Sequence, residues 1–324
     1  MKEFKHLKAA TVAEASSMLA QYKGKAALIS GGTDIVTVIK SDIFPDFPQA
    51  VIDVKGIAGL DSIKEENNVL KLGAMARLAD VANSDVVKGG YPSLAKAYLT
   101  TAHPQIRNMA RVGGNICQAV RCWYYRYPHT MGGRFPCFRK GGTLCYAVAG
   151  DHRYHSILEG QVCFAVCASD AATALSALNA TVVTNKRSIK FDDFYVVLGT
   201  ILAQDEIVTE VQVPKPKAST KQTYTKLSTR KAIDWALVSI ATAITVEGGT
   251  VTDARITLGG VAPMPYRAKG AEDAIKGKAI SDAVAAAAGD AAVATAIPMI
   301  SGDGPTNKYK VQMAKTLVKR AILA

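Results

Sequence analysis

Six cysteines lie in one stretch of the chain, and their type and spacing are the most direct indication of chemistry in the sequence. All six fall between Cys117 and Cys167 of the 324 residues. In a reducing compartment, thiols clustered in this way more often bind metal than form disulfides. We take four of them as candidate metal ligands: Cys122, Cys137, Cys145 and Cys163.

The spacing of these four cysteines narrows the metal chemistry. They are separated by 14, 7 and 17 residues, with no Cys-x-x-Cys pair of the zinc-finger kind. An iron–sulfur cluster tolerates irregular spacing when one loop folds around it. Between Arg121 and Arg153 the chain has five arginines and Lys140 but only one acidic aspartate, Asp151. This surplus of positive charge would stabilise a doubly negative cysteine-ligated cluster. Two other interpretations stay open: thiols without metal, and a basic loop that is solvated or docks an acidic partner.

Two glycine pairs predict places where the backbone comes close to a ligand. The first is Ser30-Gly31-Gly32-Thr33-Asp34, between an apolar strand and a helix predicted over 33–40. The first-turn amides and dipole of such a helix suit a diphosphate. Because the GxGxxG pattern of a Rossmann fold is missing, a plain strand–helix turn is an open alternative. The second pair lies in Val112-Gly113-Gly114-Asn115, after His103, which taken alone is more typical of a turn or core histidine.

The elements predicted around these motifs make the region before Pro214 mixed α/β. A capping box at 11–14 begins a helix that ends near Tyr22, and a second helix covers 92–100. Strands are predicted over 25–30, 50–54 and 69–72. A proline-marked break at 211–216 is the expected domain boundary. Beyond it we expect strands at 223–229, 236–246 and 252–261, and helices from about Ala268, Ser281 and Pro305.

Composition and charge limit the class of protein. Hydrophobic residues are 49% and charged residues 20% of the chain, which is typical of a globular protein and leaves room for two domains. The net charge of +12 comes from scattered Lys and Arg, so we predict no nucleic-acid partner. The stretch 283–300 is too weakly apolar for a membrane span. Since 1–6 holds no apolar signal region, we expect a cytoplasmic location, with export beside a signal-bearing partner left open.

In chain order, the motifs resemble the FAD-binding subunit of the molybdenum hydroxylases, the family of carbon monoxide dehydrogenase medium subunits and the xanthine dehydrogenase flavin domain. The resemblance rests on 30–34, 112–115, Ser169-Asp170, and Lys226 in Tyr224-Thr225-Lys226-Leu227. It implies an α+β protein in which 1–216 forms two α/β subdomains of the PCMH/VAO-like FAD-binding fold. It also implies a C-terminal domain over 217–324, with an antiparallel three-stranded sheet and helices.

The same resemblance implies the residues that contact FAD. Those expected near the diphosphate, mainly through backbone amides, are Leu28, Ile29, Ser30, Gly31, Gly32, Thr33, Asp34 and Ile35. Those expected on the opposite side of the cofactor are Thr101, His103, Ile106, Arg111, Gly113, Gly114 and Asn115. Asp170 would bind a polar part of FAD, and Lys226 would lie near the isoalloxazine. Arg111 stands where relatives often carry a small residue.

One departure points to a subgroup of the family. Asn115 and Asp170 are 55 positions apart, and the extra length, about 119–163, holds the cysteines. It resembles the [4Fe–4S] loop of the flavin subunits of 4-hydroxybenzoyl-CoA reductase and periplasmic aldehyde oxidoreductase. The likeness implies Cys122, Cys137 and Cys145 as the first three cluster ligands. It implies Cys163 as the fourth, with Cys167 in reserve, and Cys117 as a neutral thiol beside the flavin.

The resemblance implies an electron-transfer subunit that carries FAD and a [4Fe–4S] cluster. It would connect a [2Fe–2S] small subunit and a molybdopterin large subunit to an external carrier, which would be a ferredoxin, NAD(P) or a quinone. Substrate hydroxylation would belong to a partner chain. Two alternatives from other classes stay open: a stand-alone flavoprotein oxidoreductase, and a zinc-loop scaffold subunit without redox activity.

Overall fold

The computed structural model describes residues 2–44, 46–230, 232–300 and 306–324. The chain begins with a small α/β subdomain around a three-stranded parallel sheet of order β1-β3-β2. Its elements are β1 (Lys5–Lys8), α1 (Val12–Tyr22), β2 (Ala26–Ile29), α2 (Ile35–Lys40) and β3 (Ala50–Asp53). The first glycine motif therefore connects β2 to α2 at one end of this sheet.

The capping box predicted at the start of α1 is present. The Thr11 hydroxyl accepts the Glu14 N–H at 3.1 Å, and the Glu14 carboxylate accepts the Ala10 N–H at 2.7 Å. These bonds satisfy backbone donors that the first helical turn leaves without partners. Ala15 and Leu19 of α1 are buried in one apolar cluster with Ile52 of β3. The helix thus closes one face of the parallel sheet.

A second subdomain follows and contributes two strands and five helices before the cysteine segment. These elements are β4 (Ile63–Glu66), β5 (Val69–Gly73), α3 (Leu78–Asn83), α4 (Asp85–Gly90), α5 (Pro92–Leu99), α6 (Pro104–Met109) and α7 (Val112–Cys117). The cysteine segment, residues 118–168, has little regular structure. It contains two 3-10 turns, His129–Met131 and Phe138–Lys140, and the one-turn helix α8 (Tyr146–Ala149).

The chain then returns to complete the second subdomain. Its remaining elements are α9 (Asp170–Ala177), β6 (Thr181–Thr184), β7 (Ser188–Lys190), α10 (Phe191–Phe194), β8 (Tyr195–Val196), β9 (Gly199–Thr200) and β10 (Val208–Pro214). The five-stranded antiparallel sheet has the order β4-β5-β10-β6-β7, so β10 pairs with strands on both sides of the cysteine segment. That pairing holds the two ends of the segment at one place in the fold.

The C-terminal domain is an antiparallel sheet backed by helices. Its elements are β11 (Thr220–Leu227), β12 (Val238–Glu247), β13 (Thr250–Gly259), β14 (Tyr266–Arg267), α11 (Lys269–Ile275), α12 (Asp282–Ala292) and α13 (Tyr309–Leu323). Ile240 and Leu258 of the sheet share a buried core with Leu317 of α13. On the opposite face, Tyr224 and Ala241 belong to the core of the second subdomain. The sheet is therefore covered on both faces.

The structure corrects two details of the sequence prediction. The C-terminal sheet has four strands instead of three, because the two-residue strand β14 is too short to show an alternating pattern. Helix α2 begins at Ile35, two residues later than the predicted Thr33, and has six residues. The predicted start of the last helix, Pro305, lies outside the described residues. None of the helices in the described part of the chain has the length and hydropathy needed to cross a bilayer.

Candidate functional site

A cavity of about 550 Å³, the main cavity, opens between the two subdomains and a loop of the C-terminal domain. Its volume lies in the range of small-molecule and cofactor sites, about 300–1,000 Å³. Of the residues predicted from the sequence to contact a cofactor, only Ile29 and Lys226 do not line it. Those that line it are Leu28, Ser30, Gly31, Gly32, Thr33, Asp34, Ile35, Thr101, His103, Ile106, Arg111, Gly113, Gly114, Asn115 and Asp170.

The two glycine motifs meet on the wall of the main cavity. A Cβ added to Gly31 would lie 1.9 Å from the backbone oxygen of Met109, a distance that no side chain can occupy. A Cβ added to Gly114 would lie 3.5 Å from the Ser30 hydroxyl, an ordinary contact. The β2–α2 turn is thus pressed against the end of α6, and only a residue without a side chain fits at Gly31.

Asp34 connects the first glycine motif to the cysteine segment. Its carboxylate accepts hydrogen bonds from Arg121 at 3.0 Å and from Arg126 at 3.1 Å. Burial opposes ionisation, but the two guanidiniums outweigh it and lower the pKa of Asp34. The Arg121 guanidinium also lies 4.7 Å from the centroid of the Trp235 ring, a cation–π contact. The Asp34 side chain is therefore held by protein groups, and the two guanidiniums leave a net positive charge around it.

Asp170 forms a buried ion pair at the other side of the main cavity. Lys226 Nζ lies 2.7 Å from its carboxylate, and both side chains are less than a tenth exposed. The Tyr224 hydroxyl donates to the same carboxylate at 2.8 Å. Burial raises the pKa of Asp170 despite these partners. Asp170 lines the cavity, whereas Lys226 contacts Asp170 without lining the cavity itself.

Arg111 brings positive charge to the main cavity, and the nearby carboxylates of Asp80 and Asp61 form no ion pair with it among the described residues. Its Nε is buried and has no hydrogen-bond partner within the described residues. The backbone of Arg77 forms an isolated β-bridge with the backbone of Arg111. Neither arginine side chain takes part in an ion pair in the part of the chain that the structure describes. Burial, reinforced by the charge of Arg77, lowers the pKa of Arg111. A guanidinium placed in this way favours an anionic ligand group.

Three more of the predicted residues shape the cavity wall through bonds to the protein. The Thr101 hydroxyl donates to Ala97 O at 2.9 Å, and His103 Nδ1 lies 2.7 Å from the Gln105 side-chain oxygen. The side-chain oxygen of Asn115 accepts the Ser169 hydroxyl at 2.6 Å. Ser169 also caps α9 by accepting the Ala172 N–H at 3.0 Å. These bonds order the turns that present backbone to the cavity.

Sequence reasoning missed several residues of the main cavity. Trp235 comes from a C-terminal loop without a recognisable motif, and Arg121 was considered only as part of the cysteine loop. Glu206 also lines the cavity, and its bond to Arg187 lowers its pKa to about 2. Cys117 also lines this wall, but the resemblance had already implied a place for it beside the flavin. Of these residues, only Arg121 could have been predicted from the sequence, because its positive charge lies beside a proposed ligand, Cys122.

A second, smaller cavity of about 20 Å³, the thiol cavity, lies within the cysteine segment. The four predicted metal ligands Cys122, Cys137, Cys145 and Cys163 all line it, whereas Cys167 does not. All six cysteines are free thiols. Within the described residues, no group of three or more Cys, His, Asp or Glu side chains stands close enough to coordinate a metal ion. The four sulfurs thus converge on one small space without the close approach that a bound metal imposes.

Hydrogen-bond donors and positive charge surround the thiol cavity. Arg139 Nε donates to Cys163 Sγ at 3.1 Å, and the Tyr125 N–H donates to Cys122 Sγ at 3.5 Å. His155 Nε2 lies 3.2 Å from Cys122 Sγ. Lys140 Nζ is buried and makes no hydrogen bond to any described residue. Burial raises the pKa of the Cys122 thiol to about 12, so the thiol is protonated unless a bound metal removes the proton.

The two cavities share a wall. Arg121 lines the main cavity, and the next residue, Cys122, lines the thiol cavity. Two residues joined by one peptide bond thus belong to the walls of both cavities. An antiparallel bridge between Arg121 and Val166 holds the backbone at this point.

Comparison with known families accounts for both domains. Residues 2–216 match the family described as FAD binding domain in molybdopterin dehydrogenase. Residues 223–324 match the family described as CO dehydrogenase flavoprotein C-terminal domain. The chain belongs to this family of FAD-binding subunits.

Relatives of known function agree with that assignment. The chain is 35% identical to the aldehyde oxidoreductase FAD-binding subunit PaoB of Escherichia coli (strain K12), over 84% of this chain and 86% of that protein. It is 31% identical to the carbon monoxide dehydrogenase medium chain of Hydrogenophaga pseudoflava, over 97% of this chain and 94% of that protein. Both relatives are therefore similar along nearly their whole length.

Solved structures give the same result for the fold. Carbon monoxide dehydrogenase from Hydrogenophaga pseudoflava, in a form lacking the Mo-pyranopterin moiety, is similar with a TM-score of 0.79 and 29% identity. The match covers 100% of this chain and 97% of that one. The α+β fold is thus confirmed, and the chain is an FAD-containing oxidoreductase subunit of the molybdenum hydroxylases that mediates electron transfer.

Proposed function

We propose that this subunit carries one FAD in the main cavity and one [4Fe–4S] cluster in the thiol cavity, and that it passes electrons between them. The observation that carries the proposal is the shared wall: Arg121 lines one cavity and Cys122 the other. When bound, FAD supplies two-electron exchange and the cluster supplies one-electron exchange. The protein's part is to bind, orient and separate the two groups.

The residues of the main cavity fit FAD. Gly31 lets the β2–α2 turn pack against the backbone of Met109, and the turn lines the cavity where the diphosphate would bind. Arg111 has an unsatisfied buried Nε, and Arg121 and Arg126 leave positive charge after their pairing with Asp34. Both features favour the negative charge of the diphosphate. Asp170, held by Lys226 and Tyr224, would accept a hydrogen bond from a polar group of the cofactor.

The thiol cavity has the type and number of ligands that a cysteine-ligated cluster requires. Four thiols line one space, N–H donors from Arg139 and Tyr125 point at two of the sulfurs, and His155 Nε2 lies 3.2 Å from Cys122 Sγ. Hydrogen bonds to sulfur and nearby positive charge stabilise thiolate ligands of a negatively charged cluster. The cavity of about 20 Å³ holds little more than one water, so the segment must expand around the cluster.

The proposed partners follow from the family and its relatives. We propose that the chain assembles with a [2Fe–2S] small subunit and a molybdopterin large subunit, and exchanges electrons with an external ferredoxin, NAD(P) or quinone. The carbon monoxide dehydrogenase relative is named as a medium chain, which supports an assembly with other chains. Lys140 and the neighbouring arginines place positive charge near the thiol cavity, which would steer an acidic carrier.

Counting electrons tests the proposed function directly. The chain, purified without oxygen, is titrated with a one-electron reductant while flavin absorbance and cluster EPR are recorded. We expect uptake of about three electrons per chain, two by FAD and one by the cluster. Uptake of about two electrons, with no EPR signal from a cluster, would leave only the FAD part of the proposal.

Replacing Gly31 with alanine should weaken FAD binding. The new Cβ would overlap the backbone of Met109, and backbone cannot move aside as a flexible side chain does. We expect a loss of about 1–3 kcal/mol in the free energy of unfolding and a lower FAD content. Gly89→Ala is the matched control, since a Cβ there meets nothing within 4 Å. Unchanged FAD affinity in Gly31→Ala, measured by fluorescence titration, would contradict the proposed place of the diphosphate.

Replacing Arg111 with threonine should remove a charge-assisted contact to the cofactor. Such a bond contributes about 1.5–3 kcal/mol, so FAD affinity should fall about 10- to 150-fold. Riboflavin, which has no phosphate, should bind both proteins equally. Arg77→Thr is the control, because Arg77 is exposed and does not line the main cavity. Equal loss of FAD and riboflavin would indicate that Arg111 is structural.

A further inference from the structure

Two buried side chains connect the start of the C-terminal helix α13 to the cysteine segment. Asn307 lies just before the helix and Lys310 in its first turn, and neither is exposed to solvent. Neither residue lines the main cavity or the thiol cavity. Any effect of these two residues on a ligand in either cavity must therefore pass through other residues.

Lys310 is buried without an acidic partner in the described part of the chain. Its ammonium donates to the backbone oxygens of Tyr154 at 3.3 Å and His155 at 3.0 Å, and also to Gly260 O. Burial lowers the pKa of Lys310 to about 7. An ammonium in such a place costs free energy unless it is fully hydrogen-bonded. The bonds it makes hold a fixed piece of backbone.

Asn307 holds the same piece of backbone from the adjacent position. Its amide donates to His155 O at 3.3 Å and to Ser156 O at 2.8 Å. Its side-chain oxygen accepts the Met299 N–H at 2.8 Å, which fixes the orientation of the amide. Two side chains thus bind three consecutive backbone oxygens, those of residues 154–156.

The residue at the centre of that segment faces the first proposed cluster ligand. His155 Nε2 lies 3.2 Å from Cys122 Sγ, and its ring packs edge-on against Trp123 with centroids 5.7 Å apart. A thiolate has only acceptor sites, so a neutral imidazole bonds it through Nε2–H.

We propose that Lys310 and Asn307 are positioning residues of the thiol site: they hold the 154–156 segment by its backbone oxygens and so aim the His155 imidazole at Cys122 Sγ. The inference rests on the proposed function, in which Cys122 ligates a [4Fe–4S] cluster. An N–H donor to a ligand sulfur stabilises the more negative, reduced cluster. It therefore raises the reduction potential.

The test uses two variants and a matched control in the full chain, with the partner subunits that copurify. Lys310→Met removes the ammonium but keeps the stem, and Asn307→Leu removes the amide. Lys308→Met changes an exposed lysine of the same turn. We expect wild-type FAD and iron content in all three. The cluster potential should fall by about 20–60 mV in the first two, equivalent to a 2- to 10-fold change, and stay unchanged in the control.

A double variant separates positioning from a direct effect of the lysine charge. If Lys310 acts through His155, combining Lys310→Met with His155→Leu should give the potential of His155→Leu alone. A shift that adds in the double variant contradicts the inference. An unchanged potential in both Lys310→Met and Asn307→Leu contradicts it too. Asn307→Leu keeps the test valid when Lys310→Met does not fold.

Alkylation of Cys122 in the metal-free chain distinguishes failure of the cluster proposal from failure of the positioning role of Lys310 and Asn307. Iodoacetamide reacts with the thiolate, which the His155 N–H stabilises, so loss of that bond should lower the rate of Cys122 alkylation about 2- to 10-fold in both variants, measured by mass spectrometry. Wild-type chain without iron would overturn the cluster, and slower alkylation in the variants would still support the role of Lys310 and Asn307. Equal rates in wild type and variants would overturn that role.

Discussion

Replacing Cys122 with serine should remove the iron of the proposed cluster and leave the flavin. Cys122 is the first proposed ligand, and its sulfur is approached by both the Tyr125 N–H and the His155 imidazole. Without it the cluster loses one of its thiolates. We therefore expect iron to fall from about four atoms per chain to near zero. FAD should remain at about one per chain, because Cys122 does not line the main cavity.

Three other cysteines provide matched controls for that result. Cys163→Ser should lose iron in the same way, since Cys163 lines the thiol cavity. Cys167→Ser and Cys117→Ser should keep iron, since neither residue lines that cavity. Loss of iron in Cys167→Ser but not in Cys163→Ser would reassign the fourth ligand. Loss of FAD and iron together in Cys122→Ser, at unchanged thermal stability, would contradict separate sites.

Replacing Lys226 with methionine should destabilise the protein strongly, because it leaves the buried Asp170 carboxylate without its ion-pair partner. Removing one partner of a buried ion pair costs about 3–5 kcal/mol in the free energy of unfolding. FAD content should fall as well, since Asp170 lines the main cavity. Chemical unfolding measures the first effect and acid-released flavin the second. Lys221→Met, an exposed lysine on the same strand, should change stability by less than about 1 kcal/mol.

The pH dependence of the Lys226→Met effect has a definite sign. Burial raises the pKa of Asp170 in the folded protein above its ordinary 3.8, and loss of Lys226 raises it further. The folded state then binds a proton that the unfolded state has released, so stability falls as the pH rises through this window. The destabilisation should be smaller at about pH 5 than at about pH 8.

A neutral pair provides the control for this prediction. Asp170→Asn combined with Lys226→Met removes both buried charges and should regain most of the lost stability. A double variant as unstable as Lys226→Met alone would show that packing, and not the unpaired carboxylate, causes the effect.

The sequence predicted the residues of the main cavity better than it predicted its geometry. The glycine motifs are recognisable because close backbone approach restricts the residue type, and Gly31 against Met109 shows how strict that restriction is. Lys226 was expected at the cofactor, but its side chain is bonded to Asp170 and does not line the main cavity. A linear motif names residues that act together, and it does not tell which of them contacts the ligand.

Contacts between segments that are far apart in the chain could not be predicted from the sequence. Asp34 and Arg121 are 87 positions apart, and their ion pair depends on how the cysteine segment folds back over the β2–α2 turn. Lys310 and His155 are 155 positions apart, and an isolated lysine in an amphipathic helix predicts an exposed residue, not a buried one. Such pairs follow from tertiary packing and leave no local pattern.

The most direct test of the account is the content of iron, acid-labile sulfide, zinc and acid-released flavin in one sample purified without oxygen. We expect about four irons, about four sulfides and about one FAD per chain, with no zinc. That result would support a flavin subunit with its own cluster. FAD without iron would contradict the cluster and leave the thiol cavity as a structural feature. Zinc in place of iron, or no flavin, would contradict the central claim.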